Sequence, residues 1–508
     1  MTAPSAQSAS SALSAPSARS YDVVVLGGGV AGCVLAARLS EDRSRSVCLV
    51  EAGQDYGPHG EGWPGGLLDA RSLPRSDVWE RHTEVYRLRA RVIGGSSCVN
   101  GCWNTWGTHA DQAEWERTGG AAWSAAALER HRKAAVQQMD MRPVPDGELS
   151  PFSRAALAAA DELGFAHADM GTSGGPGHGT PLLNAVDGLR WNAAFAYLDP
   201  ARSRPNLTVL GGASAHRLDV RGGRVHGVEV VRDGERVTLT ADTYVVACGT
   251  YGSPALLMRS GIGPAGQLRE AGVRPEVDLP GVGANLTDQP GVFVPLAPTD
   301  GLNAALAEQE ARGELYGNRM LIRAASPYCG DGSWDLHILA NAGPPLFGKL
   351  PPGQYEAGLS SYLMKPASRG RVRLRSADPA EPLDIDPGFF SDPEGRDLAA
   401  VRAGLGIVED LAGSAALRPL VRQVEEHPSR LSDERIRARA GTYWHPVGTC
   451  AMGTEDDPGA VVDGAGRVHG VSNLRVADAS VLPTVPAANT QLPVLAAAEL
   501  LAEAVPRD

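Results

Sequence analysis

No run of lysine or arginine long enough to neutralise successive phosphates occurs in this 508-residue chain, whose formal net charge is -12. That argues against nucleic acid and anionic membrane as partners. Cysteine is scarce: Cys33, Cys48, Cys98, Cys102, Cys248, Cys329 and Cys450 include no Cys-x-x-Cys pair, and their number is odd. A disulfide framework is therefore disfavoured, and reduced, buried thiols in a cytoplasmic protein are expected. Cys98 and Cys102 stand at helical spacing without a second Cys or His pair nearby, so no metal site is expected. No apolar run reaches the ~18 residues of a membrane span. The best candidate, Leu492 to Val505, is interrupted by Glu499 and Glu503 and reads as a terminal helix. The first twenty residues are nearly all Ala, Ser and Pro, without the basic start and apolar stretch of a secretory signal. Residues 1–20 are expected to be a disordered tail.

What is present is globular: 43% hydrophobic and 21% charged residues, in a chain long enough for two or three domains. Tyr21 to Leu26 (YDVVVL) is an apolar, β-branched run ending at three glycines, the pattern of a buried parallel strand. Gly32 to Ser40 has helical apolar spacing and Ser46 to Val50 is the next strand, which together make a βαβ unit. Thr243 to Cys248 repeats the strand signal. Asn206 to Leu210 and Val225 to Val231 look like hairpin material, with Leu218 to Val220 and Val237 to Leu239 alternating in the same way. Residues 301–316 read as an acidic helix, and 332–390 alternate like antiparallel strands. The chain begins as α/β and becomes α+β.

Gly27-Gly28-Gly29-Val30-Ala31-Gly32 fits G-x-G-x-x-G. With 61 glycines in 508 residues, such a match is expected about once by chance, and a second one exists at Gly261, Gly263 and Gly266. Context separates them. The first follows a strand, opens a helix and is followed by Glu51 at the end of the next strand. This is the dinucleotide arrangement: Gly27, Gly29, Val30, Ala31 and Gly32 approach the pyrophosphate at a helix N-terminus, and Glu51 accepts from ribose hydroxyls. An acidic residue there disfavours NADP; FAD and NAD are not separated by this motif. The second match follows a helical stretch and lacks the closing acidic residue.

Further segments resemble the glucose-methanol-choline (GMC) oxidoreductase family, in the family's order. They are Arg91 to Gly101 (RVIGGSSCVNG), Gly249 to Gly263 (GTYGSPALLMRSGIG), Gly281 to Asp288 (GVGANLTD), His445 to Thr449 (HPVGT) with Asn473 to Ser480 (NLRVADAS), and Pro486 to Pro493 (PAANTQLP). The resemblance spans about residues 20–505. It implies a Rossmann-like, discontinuous FAD-binding domain (21–150, 200–294 and 441–508) and an antiparallel-sheet substrate-binding domain (151–199 and 295–440). It also implies FAD contacts from Ala52, Val92, Gly94, Gly95, Ser96, Asn100, Gly101 and Cys102. Ala215, Trp444, Asp478, Ala479, Thr490 and Gln491 are implied as further cofactor contacts.

An alcohol cannot release hydride until its hydroxyl proton is leaving, so a base must sit beside the oxygen and the flavin beside the carbon. By the resemblance, His445 is that base and Asn489 orients the oxygen. Where some family members attach FAD through a histidine, this chain has Val99, so FAD is expected to be non-covalent, with Cys98 as a neighbouring nucleophile. The stretch Cys102 to Trp106 (CWNTW) departs from common family wording and is a candidate to line the pocket floor, which leaves the substrate open among sugar, natural-product and other hydroxymethyl compounds. His337 and Trp444 are candidates to shape the cavity. The electron acceptor is oxygen or a redox carrier. The competing functions are a hydroxynitrile-lyase-type enzyme that keeps flavin as a bystander and a redox-inactive flavin-binding protein.

Overall fold

The computed structural model describes residues 19–506, apart from 61, 75, 80–88, 331, 346–349 and 423–426. Residues 1–18 of the expected tail lie outside the described residues. Arg19 and Ser20 do not belong to a tail: they open strand β1 (Arg19–Leu26), where Arg19 lies opposite Leu239.

The larger sheet forms around β1 because Val23 to Leu26 are wholly apolar and bury on both faces, at 0–2% exposure. Helix α1 (Val30–Leu39) follows, then β2 (Val47–Val50), parallel to β1 with Val23 opposite Val47. The next strand in space is β3 (Leu207–Leu210), also parallel, with Leu207 opposite Val47. This corrects the reading of Asn206 to Leu210 as hairpin material. Its partner is 160 residues back in the chain, so local alternation carried no information about it. Everything between Glu51 and Asn206 is inserted where a simple crossover would run.

After β3 a meander rises off the sheet: β4 (Ala213–Arg221), β5 (Arg224–Arg232) and β6 (Glu235–Val246), antiparallel as expected. Its two turns are Gly222-Gly223 and Asp233-Gly234, each with both residues at positive φ. Such two-residue turns match the strand twist and fix the register. The far half of β6 returns to the main sheet, pairing β1 on one side and Leu474–Val476 on the other, both in parallel. The resulting order, β3-β2-β1-β6 and then Leu474–Val476, is that of a Rossmann-like sheet.

The second sheet is antiparallel. Its order is Gly441–Thr442, β7 (Pro290–Leu296), β10 (Glu356–Leu363), β9 (Leu336–Gly343), β8 (Leu321–Ala324) and Gly177–Gly179. Helix Arg396–Ala412 covers one face through Val401, Leu405 and Val408, and Phe152 of helix Pro151–Glu162 joins the same core. Two expected boundaries move. The line drawn at 294 falls inside β7, and Gly441–Thr442 pairs with β7 rather than with the nucleotide sheet. The helix read over 301–316 spans Asp300–Ala311, because Gly313 takes φ +71 and ends it. The terminal helix is Gln491–Glu503.

Among the described residues the seven cysteines form no disulfide. Among the described residues no helix is long and apolar enough to cross a membrane. A third, smaller apolar cluster contains Met170, Leu321, Trp334, Leu339, Met364, Tyr443 and Ala487, with Trp103 and Tyr362 packed against it. It sits where strands of the second sheet meet the segments around 443 and 487.

Candidate active site

The glycine loop is built by close approach. An added Cβ at Gly32 would lie 1.8 Å from the Gly27 carbonyl oxygen, and Gly27 itself has φ +107. At Gly29 the nearest atom to an added Cβ is 3.8 Å away, so the loop is open on that side. Helix α1 begins there with no side-chain cap, so its first N–H groups and its positive dipole end are available to an anion. Glu51 lies beneath: its carboxylate accepts from the backbone N–H groups of Gly28 and Gly53, both at 2.7 Å, and burial pushes its pKa up. Ala52 joins Glu51 to Gly53, and Ala213 donates to the Glu51 carbonyl at 2.8 Å, which places Ala215 two residues farther along β4. The second G-x-G-x-x-G match does none of this. It forms a two-residue ladder with Val277–Asp278 followed by the short helix Ala265–Glu270.

The first-signature loop closes over the glycines. Gly94 N–H donates to the Gly28 carbonyl at 2.8 Å, and an added Cβ on Gly95 would come within 2.6 Å of Gly29 Cα. Val92 bridges Gln54, and Ser96 begins the turn that ends at Asn100. Cys98 is fully buried, burial pushes its thiol pKa up, and Val99 is nearly buried beside it. A neutral, enclosed thiol is a poor nucleophile. Asn100 donates to Gln491 Oε1 and accepts from Cys102 N–H at 3.1 Å, and Gly101 lies between them. Gln491 in turn donates to Asn104 and Asn184, both at 3.1 Å. The Gln491 side chain is thus spent on an amide network that ties the first signature to the terminal helix. Its neighbour Thr490 is that helix's N-cap residue, without a side-chain cap bond.

Asp478 is likewise committed. Its two oxygens accept from Gly249 N–H at 2.8 Å, from the Ser253 hydroxyl, and from the Ser480 N–H and hydroxyl at 2.8 and 2.6 Å. The carboxylate therefore clamps the second signature to the turn containing Ala479, and burial raises its pKa.

His445 and Asn489, 44 residues apart in sequence, are brought together: Asn489 Nδ2 lies 3.4 Å from His445 Nε2. On the other ring edge, His445 Nδ1 is 2.7 Å from Gln289 Oε1. Gln289 is fully buried and its Nε2 donates to the Pro486 carbonyl at 2.9 Å, which orients the amide so that Oε1 faces the histidine. Nδ1 therefore carries the hydrogen and Nε2 the lone pair. Asp288, also buried, accepts from His445 N–H at 3.0 Å and from the Thr442 hydroxyl, which fixes the backbone at 442–445. Trp444 holds φ +63; its N–H donates to Thr442 Oγ1 at 2.7 Å and its carbonyl accepts from Arg89 at 2.8 Å. Burial, and secondarily the Arg89 charge, push the His445 pKa down to about 3. Asn489 is fixed by reciprocal bonds with Thr105: Thr105 Oγ1 donates to Oδ1 at 2.9 Å and accepts from Asn489 N–H at 2.8 Å.

The surrounding wall is aromatic. Tyr362 and Tyr443 stack at 4.0 Å, and the Tyr443 ring lies 4.3 Å from that of His445. His337 is fully buried behind Tyr443, with centroids 6.2 Å apart and both ring nitrogens unpartnered, and burial holds its pKa well below the usual range. Gln289, Tyr443 and Arg89 are not singled out from sequence, and Thr105 enters only as one member of the candidate pocket-floor stretch. Gln289 directly follows the GVGANLTD segment and Thr105 lies inside the divergent CWNTW stretch, so position next to a motif was the one available signal.

Known proteins place this arrangement. Two models described as GMC oxidoreductase match residues 21–291 and 366–498. The chain is 32% identical to 5-(hydroxymethyl)furfural oxidase of Methylovorus sp. (strain MP688), over 96% of this chain and 98% of that enzyme. It is 33% identical to the mitochondrial choline dehydrogenase of Mus musculus, over 96% and 89%. The solved structure of pyridoxine 4-oxidase from Mesorbium loti superposes with a TM-score of 0.82 at 29% identity, covering 95% of this chain and 98% of that one. The chain therefore belongs to the GMC oxidoreductases, the FAD-dependent family that acts on CH–OH donors.

Proposed function

We propose that this protein oxidises a small hydroxymethyl compound to the carbonyl, with His445 Nε2 as the base for the hydroxyl proton. The observation that carries the reading is the Gln289–His445 bond, which leaves an unprotonated Nε2 beside the Asn489 amide. An alcohol placed between them gives its O–H hydrogen to Nε2 and accepts from Asn489 Nδ2, so charge can develop on its oxygen without the amide competing for the proton. The stacked tyrosines exclude water from that side. The N-terminus of the terminal helix, which begins two residues past Asn489 and has no side-chain cap, favours negative charge nearby. FAD, when bound, supplies the two-electron acceptor for the hydride leaving the carbon.

The residues present fit that cofactor. Gly27, Gly29, Val30, Ala31 and Gly32 would hold the pyrophosphate, Glu51 and Ala52 the ribose, and Ala215 the adenine. Val92, Gly94, Gly95, Ser96, Asn100, Gly101 and Cys102 would pass along the flavin side. Asp478 and Ala479 would approach through their backbone, with Trp444, Thr490 and Gln491 closing the site. Attachment is non-covalent: Val99 offers no nucleophile and the Cys98 thiol is buried and neutral, so acid precipitation releases the flavin into the supernatant. The relatives named for 5-(hydroxymethyl)furfural, choline and pyridoxine support a small alcohol as substrate. Oxygen or a redox carrier takes the electrons onward. A panel of alcohols scored by bleaching of the flavin band under nitrogen tests the reading, and admitting oxygen afterwards times reoxidation. An enzyme that bleaches with no alcohol in the panel does not perform this reaction.

A further inference from the structure

Away from His445, three potential ligands converge on the rim of the second sheet. Asp161 lies in the last turn of helix Pro151–Glu162, and His178 lies in the edge strand Gly177–Gly179. His167 is set beside His178 by an isolated parallel bridge: His178 N–H donates to the Ala166 carbonyl at 2.8 Å, and Ala168 N–H donates to the His178 carbonyl at 2.9 Å. That pairing brings the two imidazoles to a centroid separation of 4.3 Å. Both turn Nε2 towards one oxygen, Asp161 Oδ1, at 2.9 Å from His178 and 3.6 Å from His167.

We propose that Asp161, His167 and His178 form a binding site for a divalent transition-metal ion, with zinc the best match. Two imidazole nitrogens and one carboxylate oxygen are a donor set that zinc accepts, at bond lengths of about 2.0–2.2 Å in tetrahedral geometry. Tetrahedral bonds of that length separate neighbouring ligand atoms by roughly 3.3 Å. The two measured separations straddle that value, and all three donor atoms lie within 4.8 Å of one another. An Asp–His hydrogen bond alone accounts for Asp161 and the buried His178. It does not account for a second imidazole held alongside with its Nε2 aimed at the same oxygen. His167 and Asp161 are exposed, so the ion can enter from solvent.

The ion would act as a clip. The loop between the two histidines carries Met170, which packs with Tyr443 and Trp334 in the apolar cluster beside His445. From inside, Arg323 donates to the carbonyls of Asp169, Met170 and Thr172 and so holds the loop. A metal at its two ends would hold it from outside as well, stiffening one wall of the substrate site. The affinity is that of an incompletely supported site. His178 Nδ1 has no partner, and lack of such a bond weakens metal binding by about 10- to 100-fold.

The test uses the FAD-loaded, full-length protein, stripped with a chelator and titrated calorimetrically with zinc. The site predicts one saturable ion per chain, and cobalt in its place gives visible bands beyond the flavin absorption. Replacing buried His178 endangers the fold, so the variants are the exposed His167→Ala and Asp161→Asn. Each weakens zinc binding by about tenfold or more, while the metal-free Tm and flavin content stay at wild-type values. No saturable uptake, or either variant retaining the wild-type affinity, overturns the assignment.

Discussion

Gln289 Oε1 accepts the Nδ1 hydrogen of His445 at 2.7 Å, and Nε2 is thereby left as the acceptor that faces Asn489. The two residues are 156 positions apart, and the bond makes one tautomer of the imidazole the working one. Replacing Gln289 by Leu removes the acceptor and frees the ring to turn or to change tautomer. The expected result is a fall in kcat/KM of about 10- to 100-fold with FAD content unchanged. Steady-state kinetics beside a flavin absorbance ratio reads both quantities.

Asn489 depends on Thr105 in a comparable way. Thr105→Val keeps the volume but leaves the buried Asn489 Oδ1 without its donor, at a cost of about 1–3 kcal/mol. A lower Tm and a rise in KM for the alcohol are expected, because the amide proposed to hold the substrate oxygen is no longer fixed. Thermal melts and alcohol titrations check the two halves separately.

The pH dependence follows from the depressed His445 pKa. A histidine lowered from 6.5 to about 3 stays neutral, as the proposed base must, throughout the neutral range. The acid limb of kcat/KM should therefore lie well below pH 6.5. Gln289→Glu places a carboxylate on Nδ1, favours the imidazolium and moves that limb upward. Stability shifts in the same window. The unfolded histidine takes a proton near pH 6.5 while the folded one does not, so stability present above that pH is lost as pH falls towards the folded value. His337, fully buried and shifted in the same direction, adds to the loss. Melting curves collected downward from neutral pH should show Tm falling, less steeply in His337→Phe.

Two glycines separate folding from cofactor binding. Gly32→Ala puts a Cβ 1.8 Å from the Gly27 carbonyl oxygen, so the loop must distort and the apoprotein Tm falls. Gly29→Ala meets nothing nearer than 3.8 Å and needs no unusual φ, so the apoprotein should melt as wild type. If the pyrophosphate passes over Gly29, flavin content on purification drops in this variant too. Reconstitution with FAD followed by fluorescence gives the affinity directly.

How much of this was legible in the sequence depends on the range of each interaction. The Tyr21 to Leu26 run, the glycine loop and Glu51 carry local signals, and the burial of the strand and its pairing with Val47–Val50 follow from nearby residues. His445 and Asn489 were found by motif, and the fold places them within 3.4 Å. Gln289 and Thr105 are single polar residues whose importance lies in partners more than 150 positions away, and neither pattern nor composition marks them. Strand Leu207–Leu210 was misread for the same reason, since its partner Val47–Val50 lies beyond the inserted segment. The Asp161, His167 and His178 cluster is equally silent, because its spacing acquires meaning only through the bridge between His167 and His178.

The central claim is that His445 takes the proton as the alcohol carbon loses hydride. The most direct measurement is the rate of flavin bleaching on anaerobic mixing with the best alcohol of the panel, wild type against His445→Asn. The account predicts slowing by about 10²- to 10⁴-fold in the variant, with FAD still bound. Bleaching at the wild-type rate in His445→Asn, or product formed by the wild type without any bleaching, would contradict it.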